Sequence, residues 1–292
     1  MDYEHLLLTQ DGPALWVTMN RPERLNALNR KLIDELRHLF TELYWRRDIR
    51  VVMLAGAGRA FCAGLDLKER DDSPARAGAR DDNPARAGAR DDNPARAGAR
   101  DSNTRAGVSE GLVRQRSISE IVIAMRRCPQ PVIAMVDGAA SGGGMALALA
   151  SDVRIATQEA RMNAAFIRIG LSACDIGVSY FLPRMIGASA ASEVMLTGRF
   201  IDAARGHALG LFAKIVARDA LEAEARAYLK DMLHATPLGL RLTKEALNHA
   251  IDAQSLEAAI AMEDRNQILC AQGEDFREGI SAFLEKREPR YG

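Results

Sequence analysis

The chain has 292 residues, 39 basic and 39 acidic side chains, and a 48% hydrophobic content. That length suits one large domain, or a domain with a smaller companion. The balanced charge argues against a nucleic-acid binder, which carries a basic excess or stripe. No apolar run reaches membrane-spanning length.

The opening "MDYEHLLLTQDGPALWV" starts acidic and holds only a short Leu run, so no signal peptide is expected. Cys62, Cys128, Cys174 and Cys270 are scattered, without a C-x-x-C spacing. That is the pattern of reduced thiols in a cytoplasmic protein.

In chain order, "ALWVTMN" (14–20) reads as a strand. Asn29 is placed to cap a helix whose apolar stripe is Leu32, Ile33, Leu36, Leu39, Phe40 and Leu43. "RVVMLAG" (50–56) reads as a buried strand ending in glycine. Residues 71–107 break the pattern: "DDSPARAGAR DDNPARAGAR DDNPARAGAR DSNTRAG" is a ten-residue repeat. It is neutral and has no Leu, Ile, Val or aromatic residue, so burial cannot offset its ordering entropy. It is expected to be a disordered insertion in a core spanning 1–200. A helix is predicted over 109–127, and strands at "PVIAMVDG" (131–138) and "DVRIAT" (152–157). From about residue 201 to 292 helical periodicity dominates, around 219–234, 238–250, 255–270 and 275–287. Asp219 with Glu222 resembles a capping box. The fold class is therefore α/β with a helical C-terminal region.

Two strands end alike, in "AGAGRAFCAGLDL" (55–67) and "DGAASGGGMALALA" (137–150). Glycines there permit positive φ and close approach of a ligand to the backbone. A helix start also leaves N–H groups unpaired and carries partial positive charge. One N–H from each loop would make an oxyanion hole; the alternative is two tight turns. No G-K-[ST] or strand-following G-x-G-x-x-G supports a phosphate loop. Ser141 sits in "AASGG", outside any G-x-S-x-G elbow, so a serine hydrolase is a remote alternative.

The motifs together resemble the crotonase, or enoyl-CoA hydratase/isomerase, superfamily. They are "MNRPERLNAL" (19–28), "GRAFCAGLDL" (58–67), "PQPVIAMVDGAASGGGMALALASDVRIAT" (129–157), the segment 182–216 and "EGISAFLEKREP" (278–289). The resemblance implies a repeated ββα spiral core and a C-terminal helical region that drives trimer or hexamer formation. It implies a coenzyme A thioester as substrate, with no separate cofactor and no metal. By position, the backbone N–H groups of Leu65 and Gly143 would be the oxyanion donors. Arg24, Leu25, Ala27 and Ala63 would line the coenzyme A site. Lys286 would reach a phosphate, across a subunit boundary, or else be a solvated helix-end lysine.

The chain departs from the family pattern at two places. Hydratases of the family use two glutamates to activate water; their positions here hold Ala146 and Phe166. Neither side chain transfers a proton, and losing one such group costs roughly 10²–10⁴ in rate. One carboxylate remains, Asp175 in "GLSACDIGVSYFLPR" (170–184), near where dienoyl-CoA isomerases of the superfamily place a catalytic Asp. Desolvation beside an acyl site would suit it to proton transfer, while the alternative is a cap for a helix starting near Val178. Asp137 and Asp152 read as structural, and Asp66 as a cap or fixing point of the first loop. Glu193 is a further candidate pocket-facing carboxylate. The repeat is expected to hang over the pocket mouth. The favoured function is isomerase-type proton transfer through a thioester enolate; the alternative is an acyl-CoA carrier or sensor.

Overall fold

The computed structural model describes residues 2–71 and 94–291. Strands β1 (Leu6–Asp11) and β2 (Ala14–Met19) form an antiparallel hairpin turning at Gly12. The chain then repeats one figure three times. β3 (Val51–Gly56) enters a main sheet and β4 (Ala60–Cys62) a second, smaller one. β5 (Val132–Val136) and β6 (Ala139–Ser141) do the same, as do β7 (Val153–Thr157) and β8 (Arg161–Asn163). β9 (Ile201–Asp202) and β10 (Lys214–Val216) complete the sheets, ordered β1-β2-β3-β5-β7-β10 and β4-β6-β8-β9.

The helices are α1 (Arg30–Glu42), α2 (Leu67–Asp71), α3 (Pro94–Arg127), α4 (Gly143–Ala150), α5 (Val178–Ile186) and α6 (Ala188–Thr197). They continue with α7 (Ala203–Ala208), α8 (Leu221–Leu233), α9 (Pro237–Ala250), α10 (Leu256–Ala271) and α11 (Glu274–Glu285).

The central strands β3 and β5 are buried on both faces, which is why they read as continuous apolar runs. One face carries Val52, Leu54 and Ala134 into a core shared with α1, α3 and α4. The other carries Val51, Met53, Ile133 and Ile155 against Leu221, Ala225 and Leu229 of α8. Asn29 caps α1 as predicted, its side chain accepting from the Leu32 N–H at 2.9 Å. The strands of the second sheet have only two or three residues each, too short to show a period.

Two expectations need correction. The helix predicted over 109–127 begins at Pro94, so the end of the repeat has helical backbone. Proline at the first helical position and Ala/Arg-rich sequence both favour this. The expected disorder of 72–93, and the placement of that segment over a pocket mouth, lie outside the described residues. The Asp219–Glu222 capping box does not form either. Asp219 lies inside a 3₁₀ turn, and Ala220 is the N-cap of α8 without a side-chain bond.

Helix α9 is tied to the core through a buried cation. Lys244 of α9 is only 4% exposed and donates from Nζ to Met125 O at 3.0 Å and Gln130 O at 2.8 Å. It also pairs with Asp152 at 2.9 Å. Beside it Asn248 donates to Arg126 O at 2.8 Å. Removing Lys244 would leave the Met125 and Gln130 carbonyls without this donor and open a void at a buried position, while Asp152 would keep Arg126. Lys244→Ala is therefore expected to lower stability by about 3–5 kcal/mol, read as an earlier midpoint in urea unfolding.

Candidate active site

The two glycine loops touch. A Cβ on Gly64 would stand 2.7 Å from Ser141 O and 3.4 Å from Gly143 N. A Cβ on Gly144 would stand 2.1 Å from Cys62 O. Real side chains cannot occupy these positions, so the glycine run is a requirement of the contact between loops. Gly64 and Gly142 also have φ of +97° and +51°, where non-glycine residues are disfavoured.

This contact aims two backbone donors. Leu65 forms an isolated parallel bridge with Leu28, carried by Leu28 N–H to Gly64 O at 2.7 Å and Asp66 N–H to Leu28 O at 3.0 Å. The neighbours of Leu65 make the pairing, so its own N–H faces the opposite side. Gly143 is the first residue of α4, where an N–H has no partner within the helix. Among the described residues neither Leu65 nor Gly143 N–H donates a hydrogen bond.

α4 is buried along its whole length. Its C-terminal carbonyls meet two guanidinium groups. Arg154 donates to Ser151 O at 2.6 Å and Ala148 O at 3.3 Å, and Arg126 to Ala150 O at 3.2 Å. Burial brings the Arg154 pKa down to about 10, which still leaves it charged at neutral pH. Cations at this end complement the helix dipole whose positive end lies at Gly143.

The segment that carries Arg24, Leu25 and Ala27 is wired to the first glycine loop. Leu25 and Asn26 both have positive φ, at 52° and 54°. The fully buried Asn26 donates to Ala57 O at 2.9 Å and Ala60 O at 2.8 Å. Ala63 N–H donates to Leu25 O at 2.9 Å, so Ala63, Leu25 and their neighbours form one surface beside Leu65. Arg21 and Asp66 pair at 2.9 Å. Burial alone would raise the Asp66 pKa; the Arg21 bond and the N–H groups of Glu69 and Lys68 outweigh it and hold the pKa below its ordinary value. Asp66 thus both caps α2 and fixes the loop.

Ala146 is fully buried in α4, and Phe166 is 3% exposed. The Phe166 ring lies against the second loop, its edge 3.4 Å from where a Cβ on Gly142 would sit. Asp175 is half-buried, more open than a desolvated acid/base. Its Oδ1 accepts from Gln115 Nε2 at 2.5 Å and from Ile176 N–H at 2.8 Å. It does not cap α5 through its side chain; Gly177 is the N-cap. Instead its carbonyl accepts from Val178 N–H, closing a turn with φ of 37° at Ile176 and 91° at Gly177. A β-branched residue at positive φ is strained by about 1–3 kcal/mol. That turn directs Ile176 Cδ1 to 3.7 Å from where a Cβ on Gly143 would sit. Asp175 is therefore one residue from a side chain that touches the oxyanion loop. Gln115 and Ile176 carry no motif, and neither was marked in the sequence.

Other candidates are placed elsewhere. Glu193 lines no described cavity: it is half-buried and pairs with Arg205 at 2.6 Å. Asp137 accepts from Thr157 Oγ1 at 2.9 Å and pairs with Arg218, and Asp152 pairs with Arg126 and Lys244, so both are structural. No histidine bonds Ser141 among the described residues; His5, His38, His207 and His234 bond Asn29, Tyr3, Phe212 and Glu288. Lys286 is the exposed C-cap of α11, and no side-chain bond ties it to residues 24–27 among the described residues.

Because the Asp66 pKa is depressed, its anchoring is complete above the ordinary carboxylate value of about 4. It is lost as pH falls through the lowered folded value. Asp66→Asn is expected to be less stable than the parent at pH 7. The gap should close on acidification, in parallel thermal melts.

The family profile named Enoyl-CoA hydratase/isomerase matches residues 11–84 and 102–292, interrupted only within the repeat. The chain is 35% identical to the probable enoyl-CoA hydratase echA12 of Mycobacterium bovis, over 94% of this chain and 87% of that protein. It is 31% identical to the 1,2-epoxyphenylacetyl-CoA isomerase of Escherichia coli, over 99% and 98%. Among solved structures it resembles a putative enoyl-CoA hydratase from Streptomyces coelicolor, with TM-score 0.83, 32% identity, and 100% and 95% covered. The oxyanion-type loops, the twin sheets and these matches lead to one conclusion: the chain belongs to the enoyl-CoA hydratase/isomerase family, with the crotonase fold.

Proposed function

We propose that the protein is an isomerase-type enzyme that binds an acyl-CoA or enoyl-CoA thioester and moves a proton along its acyl chain through an enolate. The Leu65 and Gly143 N–H groups receive the thioester oxygen, with coenzyme A lying along Arg24, Leu25, Ala27 and Ala63. Asp175 accepts the proton from carbon, the electron pair moves to the carbonyl oxygen, and the same carboxylate returns the proton at another carbon. Fixed donors stabilise that charge without reorganising, and one of them is worth roughly 3–4 kcal/mol of barrier. The observation that carries the preference is the apolar wall. Ala146 and Phe166 are buried beside the donors and offer nothing to orient a water molecule. The family relationship to a 1,2-epoxyphenylacetyl-CoA isomerase supports the same direction.

Assembly as a homotrimer or hexamer belongs to this reading. α10 and α11 expose Leu256, Ile268, Leu269, Phe276, Phe283 and Leu284, a surface suited to burial against another copy. Four free thiols fit a cytoplasmic setting, and burial pushes the Cys62 pKa up to about 12, leaving that thiol unreactive. No helix among the described residues is long and apolar enough to cross a membrane.

The second reading, an acyl-CoA carrier or sensor, is favoured by the same two apolar positions. Incubation with trans-2-enoyl-CoA in D₂O, followed by mass spectrometry, separates them. Deuterium incorporation is expected, reduced by roughly 10²–10⁴ in Asp175→Asn. Added water would overturn the isomerase preference. Tight binding with no exchange would establish the carrier.

A further inference from the structure

A cavity of about 740 Å³ lies between the end of α3, the start of α5 and α9. One of its wall residues is Ile176, the same side chain that reaches the oxyanion loop at Gly143. Ile176 thus stands between the cavity and the second glycine loop. Val122 and Phe181, both buried, line it near Ile176.

The wall changes character away from Ile176. Arg126, Arg127, Arg241, Lys244 and His249 all line it, against Glu245 as the one carboxylate. Two of the cations are already committed. Arg126 bonds Asp152, Ala150 O and Asn248; Lys244 bonds Asp152, Met125 O and Gln130 O. Arg127 and Arg241 have no ion-pair partner among the described residues. Arg241 lies over the Tyr44 ring at 5.6 Å from its centroid, which holds the guanidinium at the wall. An apolar body with two uncommitted guanidinium groups fits an apolar chain that ends in an anion. Arg127 is exposed and Arg241 half-buried; guanidinium–carboxylate bonds are charge-assisted and bidentate.

We infer that this cavity takes the far part of the substrate's acyl chain and that Arg127 and Arg241 select chains ending in a carboxylate. The substrates would be ω-carboxyacyl-CoA thioesters. The inference rests on the acyl-CoA reading above. Because Ile176 packs against both the cavity and the oxyanion loop, the anion is taken to be the end of the thioester's own chain, and the test below separates this from a free carboxylic acid.

The test is equilibrium binding by calorimetry of paired thioesters, methyl-ended and ω-carboxy-ended, across a series of chain lengths. Wild type is compared with Arg127→Gln, Arg241→Gln and the double variant. At the best length wild type is expected to favour the carboxy-ended partner by about tenfold or more, the worth of one charge-assisted bond. The ratio should fall to near one in the double variant. Because the ratio is internal to each variant, partial loss of fold does not imitate the result. Equal affinity for both end groups in wild type, or an unchanged ratio in the double variant, overturns the inference alone. Binding of a free dicarboxylic acid alongside a bound methyl-ended thioester also overturns it. Binding of neither thioester overturns the inference together with the acyl-CoA reading beneath it.

Discussion

The contact between two glycine loops is the constraint on which the site depends. Gly64 can lie against Ser141 and Gly143, and Gly144 against Cys62, only because none has a Cβ. The sheets bring the loops there. β4 and β6 are parallel neighbours in the small sheet, so the chain leaves both at the same edge. Each loop then supplies one N–H whose own partner is excluded by geometry, at Leu65 by the bridge to Leu28 and at Gly143 by the helix start. Both N–H groups are held by backbone geometry alone, so as the proposed oxyanion donors they would meet the requirement of electrostatic preorganisation.

A second layer of charge keeps this arrangement in place. Arg154 and Arg126 close the C-terminal end of α4, and Asp152 holds Arg126 and Lys244 together. Asp152 also accepts from Val132 N–H at 2.8 Å, which ties the cluster to β5. One carboxylate thus joins a central strand, the helix behind the oxyanion loop and the C-terminal helix α9. On the opposite side Arg21 and Asp66 clamp the first loop to the segment 21–28. The backbone of the candidate site is held by partly buried ion pairs at both flanks, while the wall formed by Ala146 and Phe166 is apolar.

Ala146 and Phe166 make the wall beside the second loop apolar. Ala146 and Phe166 remove the groups that would order water, and the Phe166 ring fills space beside Gly142. Asp175, the proposed acid/base, sits on a strained turn. Ile176, at positive φ, carries the backbone N–H that bonds Asp175 and the side chain that meets Gly143. The turn therefore couples the position of the carboxylate to the oxyanion loop and to the neighbouring cavity. Gln115, reaching across from α3, fixes the same carboxylate from the other side.

Much of this was legible in the residues. Strands buried on both faces announce themselves as apolar runs, and Asn29 as a cap before a periodic stripe. The glycine clusters marked the loops, because positive φ and missing side chains are local requirements written in residue type. That Ala146 and Phe166 stand where the resemblance leads one to expect glutamates was a reading of position alone. The strands of the small sheet were not legible, since two or three residues hold no period. Nor were the partners of Asp175, the burial of Lys244, or the pairing of Glu193 with Arg205, each joining positions with no local signal. The sequence by itself determined which backbone conformations and which chemistries were available. Only the tertiary structure decided which side chains meet, because a hydrogen bond between residues 60 apart in the chain, as for Gln115 and Asp175, depends on how whole elements pack.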